Sequence, residues 1–382
     1  MLLESIEASC FRNLSGKICW GRNLNIIFGD NGQGKTNWLE AIYLLATTKS
    51  FRTQRPQEAI QFNEQIAVIS GLVTRSQKVS RELQVVIQGA TKTLWVNGKR
   101  EPVARYLGQL HVVSFTSGEL NVIRGGPEAR RKFLDRGIIS LHHSYIQTLA
   151  GFHRVIKQKN RLLQDAAEAK LSVSEIKLRL EPWNEQLIGL SAEIHRTRTD
   201  YTERLQQALE RHLFEREDVS IRYVSSLEGK GDISDYKSLL AERLQLRLPA
   251  ELSAGYTLIG PHRDDLEILF DGRDIATFGS SGQQRSALIL LDLAVISVYH
   301  MWHKEYPVFL IDDADAELDG KRIRLLLEYL ENRTQTFITT SKEGLVRDYK
   351  AQAETFEIVG GLARVRDSES KSGSDSSTVS SI

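Results

Sequence analysis

Apolar residues along this chain change their spacing twice. From residue 2 to about residue 124 they come in short runs broken by turn residues. Leu24–Phe28 reads as a buried strand and residues 83 to 87 as another. Trp95 and Val96 read as a strand running into an Asn97-Gly98 turn. From about residue 127 to residue 214 the period lengthens. Tyr145, Leu149, Phe152, Ile156 and Leu163 recur at helical spacing, and after a break near Ser172 to Ser174 a second helix is expected. Pro182 is taken as its opening, because proline is tolerated in a first turn. Trp183, Leu187, Leu190, Ile194, Tyr201, Leu205 and Leu209 then step by three, four or seven, a stripe that suits an antiparallel helix pair. A helix of roughly 30 residues would make a stubby arm about 45 Å long.

From about residue 255 the strand-and-helix texture returns and lasts to residue 365. Its most apolar part, residues 287 to 302, is interrupted by Asp292 and falls short of the roughly 18 apolar residues of a membrane span. A buried core helix is the expectation, with no membrane association. The serine-rich end, SESKSGSDSSTVSSI, has little to bury and is expected to be disordered. The chain thus reads as one mixed α/β unit, split by a helical insertion. The divisions fall at 1–126, 127–250 and 251–366, with a tail at 367–382.

Composition narrows this in three ways. A length of 382 residues suffices for two or three domains around a real core. A net charge of +1 means that any nucleic-acid surface must be local. Cys10 and Cys19 alone cannot build a disulfide framework or a cysteine zinc site. With no signal-peptide pattern in MLLESIEASC, a reducing cytoplasm is the expected location.

The chemistry concentrates in three places. Gly29-Asp30-Asn31-Gly32-Gln33-Gly34-Lys35-Thr36 fits the phosphate-binding pattern G-x-x-x-x-G-K-[ST]. Its glycines let successive N–H groups curl toward a phosphate, and the following helix adds its N-terminal dipole. Lys35 would reach the β- and γ-phosphates of a nucleoside triphosphate, and the Thr36 hydroxyl would ligate Mg2+. Pro307-Val308-Phe309-Leu310-Ile311-Asp312-Asp313 is an apolar strand ending in two acids. Asp312 suits the metal, and Asp313 suits orienting or deprotonating the attacking water. Phe278-Gly279-Ser280-Ser281-Gly282-Gln283-Gln284-Arg285 stands before the apolar helix as a second anion cradle. Roughly 275 residues separate Lys35 from Asp312, so something large is inserted between the two halves of one site.

The order of phosphate loop, glycine-containing turn, apolar helix, strand with Asp-Asp and then Ala316-Glu317-Leu318-Asp319 resembles the ATPase heads of ABC proteins. Phe11-Arg12-Asn13, Lys49-Ser50-Phe51-Arg52-Thr53, Gly125-Gly126-Pro127 before Arg130-Arg131, and Gly260-Pro261-His262-Arg263-Asp264-Asp265 narrow the resemblance to the RecF family, over residues 1 to about 365. That resemblance implies a P-loop ABC-type α/β head, with mixed sheets, flanking helices and an inserted helical lobe like a shortened chromosome-maintenance arm. It implies ATP and Mg2+ held by residues 29 to 36 and Asp312, with Arg12 and Asn13 at the nucleotide and Lys35 and Asp313 catalytic. Ser280, Gly282 and Gln283 would touch ATP held by a partner copy. The implied activity is that of a weak DNA-dependent ATPase. It dimerises with ATP on double-stranded DNA beside single-strand gaps and works with RecR and RecO to help load RecA.

Three positions depart from the family pattern. Thr116-Ser117-Gly118-Glu119 stands where a Ser-Pro-Glu-Asp loop is usual, leaving Glu119 as the acid available to metal or water. Ala316 replaces a serine, and Ser281 replaces a common glutamine. For DNA the candidates are Arg130, Arg131, Lys132, Lys157, Lys159 and Arg161, although Arg131 is also spaced to pair with Asp135. A transport-associated ATPase head is the alternative reading. It would carry a switch histidine after the last strand, where Phe337-Ile338-Thr339-Thr340-Ser341 has threonine and serine.

Overall fold

The structure is a computed structural model that describes residues 1–75, 79–168, 172–209 and 218–365. The serine-rich tail and Phe214 lie outside the described residues.

Two six-stranded sheets sandwich one helix. The first is antiparallel and runs, edge to edge, β2 (Leu14–Cys19), β1 (Leu2–Phe11), β4 (Ile66–Thr74), β5 (Ser80–Gln88), β6 (Thr91–Val96) and β7 (Lys99–Arg100). The expected turn joins β6 to β7, with Asn97 and Gly98 both at positive φ, 50° and 71°. The second sheet runs β15 (Leu362–Val365), β14 (Ala353–Val359), β3 (Leu24–Phe28), β13 (Thr336–Thr340), β12 (Val308–Ile311) and β8 (Val112–Phe115). Apart from β15 its neighbours are parallel, so their carboxyl ends lie along one edge. Helix α1 (Lys35–Thr47) lies between the sheets and is buried continuously from Trp38 to Ala46.

Alternation along β12 assigns its side chains to two layers. Val308 and Leu310 join the core around α1, whereas Phe309 and Ile311 join a second core on the opposite face. That second core holds α2 (Pro127–Leu141), α3 (Tyr145–Glu168), α4 (Val173–Leu209), α5 (Tyr236–Ala254) and α6 (Ser281–His303). Among the described residues α6 is the one helix long and apolar enough to cross a membrane, and its apolar side chains fill this core.

The arm differs from its expected outline. Helices α3 and α4 are antiparallel, with the Thr148 hydroxyl donating to Glu193 near the base and Leu163 and Ala166 meeting Ile176 and Leu180 farther out. Helix α4 begins at Val173, where Ser172 and Glu175 exchange capping hydrogen bonds, so Pro182 lies inside it rather than opening it. Pro182 is exposed, so water can satisfy the carbonyl it leaves unpaired, while buried Leu180 and Leu187 hold the helix on its other side. With 37 residues, α4 is about 56 Å long. Nor is 127–250 wholly helical. Strand β9 (Val219–Val224) pairs with β10 (Asp265–Phe270), which pairs with β11 (Arg273–Asp274), because alternating apolar residues there back onto α4.

Candidate functional site

The phosphate loop leaves β3 and enters α1 through two positions where only glycine fits. A Cβ on Gly29 would lie 2.6 Å from the Ile358 carbonyl oxygen. One on Gly34, whose φ is 113°, would lie 2.8 Å from the Asn13 side chain. The loop is held from outside. Asn13 donates to the Gln33 carbonyl at 3.1 Å, Asn37 donates to Asn13 at 2.7 Å, and Arg52 donates to Asn37 at 2.5 Å. The Gly360 and Gly361 amides donate to Gln33, fastening it to the turn between β14 and β15. Lys35 folds back over the loop, and its Nζ donates to the carbonyls of Gly29 at 2.7 Å and Asp30 at 3.0 Å.

In the sheet β13 separates β3 from β12, and its tip joins their chemistry. Thr36 Oγ1 donates to Asp312 Oδ1 at 2.9 Å, Thr339 Oγ1 donates to the same oxygen at 2.8 Å, and the Asp313 amide donates to Thr339 Oγ1 at 2.7 Å. Burial raises the Asp312 carboxyl above its ordinary range, against the hydrogen bonds from Thr339 and Thr36 and the charges of Arg52 and Lys35. Asp313 sits at the mouth of the site in the left-handed region at φ 52°, a strained conformation that aspartate tolerates better than most residues. Partial desolvation raises its carboxyl first, repulsion from Asp315, Asp312 and Glu317 adds to this, and Lys35 opposes it. A cavity of about 500 Å³ opens over these groups, lined by Asn31, Lys35, Thr36, Arg52, Asp312 and Asp313 among others.

The donor set fits a small hard cation. Among the described residues no three histidine, cysteine or acidic side chains cluster as metal ligands. Mg2+ uses instead one or two carboxylates with water and phosphate oxygens. Thr36 Oγ1 and Asp312 Oδ1, 2.9 Å apart, are the oxygens that would hold it.

The turn before α6 is built separately. Ser280 caps α6 with a reciprocal pair: the Gln283 amide donates to Ser280 Oγ at 3.3 Å, and the Ser280 amide donates to Gln283 Oε1 at 2.8 Å. None of Ser280, Gly282 or Gln283 lines the phosphate-loop cavity of its own chain. Gln284 points inward and accepts from Arg124 at 2.6 Å, while Arg285 pairs with Glu317 at 2.6 Å.

Several expected site residues are committed elsewhere. Arg12 forks the buried Glu40 carboxylate at 3.0 and 2.8 Å and donates to the Glu58 carbonyl, so its charge braces α1 outside the cavity. Asn13 frames the loop but likewise does not line the cavity. Glu119 receives Arg136 on both oxygens at 2.5 Å, which turns it away from metal or water; Thr116, Ser117 and Gly118 supply the wall instead.

Among the DNA candidates Lys159 is 1% exposed and pairs with buried Glu251 at 2.8 Å, which removes it from any surface. Arg130 forks Asp265, and Arg131 donates to the Asp264 carbonyl rather than pairing with Asp135, whose carboxylate is held by Arg198. Lys132, Lys157 and Arg161 remain exposed. His262 packs against Phe152 at the base of the arm, with burial first pushing its pKa down to about 4. Sequence reasoning passed over Thr339, Arg52 and Asn37. No local signal marks Thr339, because its place beside Asp312 depends on β13 lying between β3 and β12.

Residues 2–362 match the family described as RecF/RecN/SMC N terminal domain. A DNA replication and repair protein RecF of Oceanobacillus iheyensis is 35% identical over 373 residues, covering 95% of this chain and all of the relative. The chain belongs to the RecF family. A RecF of Halothermothrix orenii is 36% identical over 351 residues, covering 89% of this chain and 92% of the relative. A solved structure of the recombination mediator protein RecF with ATP, described within the RecFOR pathway, has a TM-score of 0.85 at 30% identity, over 96% of this chain and 97% of that one. An Smc head domain from Pyrococcus furiosus, at 17% identity and TM-score 0.55 over 95% of each chain, shares the fold alone. The fold is therefore an ABC/SMC-type ATPase head, and RecF membership replaces the transport-associated reading.

Proposed function

We propose that this chain is an ATP-switched DNA-binding protein of recombinational repair. The observation that carries the reading is the meeting of Thr36 and Asp312, 276 positions apart, in direct hydrogen-bond contact beside Lys35 and under an open cavity. Lys35 would exchange the Gly29 and Asp30 carbonyls for the β- and γ-phosphates of ATP. Thr36 and Asp312 would hold Mg2+, which when bound neutralises charge on those phosphates. Thr339 would keep Asp312 aimed, and Asp313 would orient the attacking water and take its proton. Loop residues 29 to 34 supply the amide cradle.

Ser280, Gly282 and Gln283 would close over ATP held by a second copy, making a two-fold dimer with two composite sites. Capping leaves the Ser280 hydroxyl proton free to donate. Slow hydrolysis would then release the clamp. Its ligand is double-stranded DNA beside single-strand gaps, gripped through phosphates by exposed residues such as Lys132, Lys157 and Arg161, and its setting is the cytoplasm with RecR and RecO ahead of RecA.

Sedimentation velocity with ATP, Mg2+ and a gapped duplex tests this. The wild type is expected to dimerise on adding ATP, whereas Ser280→Arg should bind ATP as a monomer. Monomers of both under every condition would end the composite-site reading.

A further inference from the structure

A second cavity, of about 170 Å³, lies away from the nucleotide site, between the far end of α1, strand β8, and helices α2 and α6. Ala46, Leu110, Val113, Phe133, Ile139 and Val295 make most of its wall apolar. Helix α6 turns one stripe toward it, Asp292, Val295 and Tyr299, spaced three and four apart. Asp292 is 4% exposed and Tyr299 is 1% exposed. Among the described residues, Asp292 Oδ2 and the Tyr299 hydroxyl have no hydrogen-bond partner. Buried polar atoms are otherwise nearly always paired.

Three of the polar groups in its wall, Arg136, Ser140 and Thr47, are already engaged. Arg136, the cation whose charge acts on Asp292, gives its guanidinium to both Glu119 oxygens and to the Tyr43 hydroxyl. The Ser140 hydroxyl donates to the Gly137 carbonyl and the Thr47 hydroxyl to the Tyr43 carbonyl. Burial raises the Asp292 carboxyl well above its usual range; Glu119 adds to this and Arg136 opposes it. A carboxyl disposed to be neutral still offers an acceptor oxygen, and it disfavours an anionic guest less than a carboxylate would.

We propose that this cavity is a binding site for a small neutral planar aromatic molecule, seated against Phe133 and Val295, that donates an N–H to the Asp292 carboxyl. The size agrees, since an apolar protein cavity of about 150 Å³ takes up a benzene ring. Tyr299 lines the same wall about two turns farther along α6. The site touches nucleotide chemistry through its walls. Tyr43 lies on the helix that begins with Lys35, and Val113 and Ser114 lead through β8 to Thr116, Ser117 and Gly118. The proposal does not depend on the function argued above.

Indole and 1-methylindole form the test pair, because they share shape and differ in the N–H. In a calorimetric titration of the full chain, indole should bind saturably with one site, and 1-methylindole at least ~10-fold more weakly, as for a site built to receive a donor. Asp292→Leu should erase the preference, and Val295→Phe, which fills the cavity, should weaken indole at least ~10-fold while thermal melting stays cooperative. A crystal soaked with indole provides a second measurement that needs no variant, with the ring expected beside Asp292. Absence of saturable indole binding, equal binding of the two indoles, or only ordered water beside Asp292 would overturn the proposal.

Discussion

The phosphate loop and the Ser280 turn both stand at helix starts, yet the fold surrounds them to different degrees. Around the loop, side chains from four distant stretches converge: Asn13, Arg52, Asp312 and Thr339. The Ser280 turn is capped by its own Gln283, and neither residue lines the loop's cavity. A cradle with paired acids, two threonine hydroxyls and a lysine around it is equipped for chemistry. A self-capped turn presenting a hydroxyl is equipped to recognise. The contrast suits a division of labour between two copies of the chain.

The sharpest way to break this comparison is Lys35→Ala. Loss of the only loop cation should lower phosphate release on the order of 10²-fold, as for removal of one charge-stabilising donor. Near-normal release would show that the loop is not the chemical half. Gly34→Ala is the next step down. Strain at φ 113° and the close Asn13 side chain should cost about 1–3 kcal/mol, read as a roughly tenfold or greater loss of ATP affinity by calorimetry.

A smaller effect is expected in the pH profile. Asp313 must be ionised to accept a proton, and Asp315 raises its pKa by repulsion. Asp315→Asn should therefore shift the acidic limb of phosphate release to lower pH. A shift upward or none would remove Asp313 as the base. The smallest effect belongs to the turn itself: Ser280→Ala should cost about 1 kcal/mol in denaturant unfolding through the lost cap, without altering ATP binding by a single copy.

Legibility tracked how local each feature is. Leu24–Phe28 was readable to the residue because a strand buried on both faces is an unbroken apolar run. The turn at Asn97-Gly98 was readable because two consecutive positive φ values favour that pair. Pro182 misled because its cost depends on whether the freed carbonyl meets water or core, and here that face is exposed. Lys159 and Arg12 misled for the same reason in reverse. Their chemistry is that of surface cations, but Glu251 and Glu40 wait for them in buried positions. Glu119 looked like a metal-side acid until α2 delivered Arg136.

Residue order alone marked the phosphate loop, the paired acids, the turn before the apolar helix and the helical insertion. Each rests on contacts within a few positions or on a short-range period, so backbone conformation and spacing suffice. Which hydroxyl steadies Asp312, which arginine braces α1 and which lysine never reaches solvent were matters of strand order and helix docking. A side chain's partner across hundreds of positions is set by burial of the whole core, and no local period encodes it.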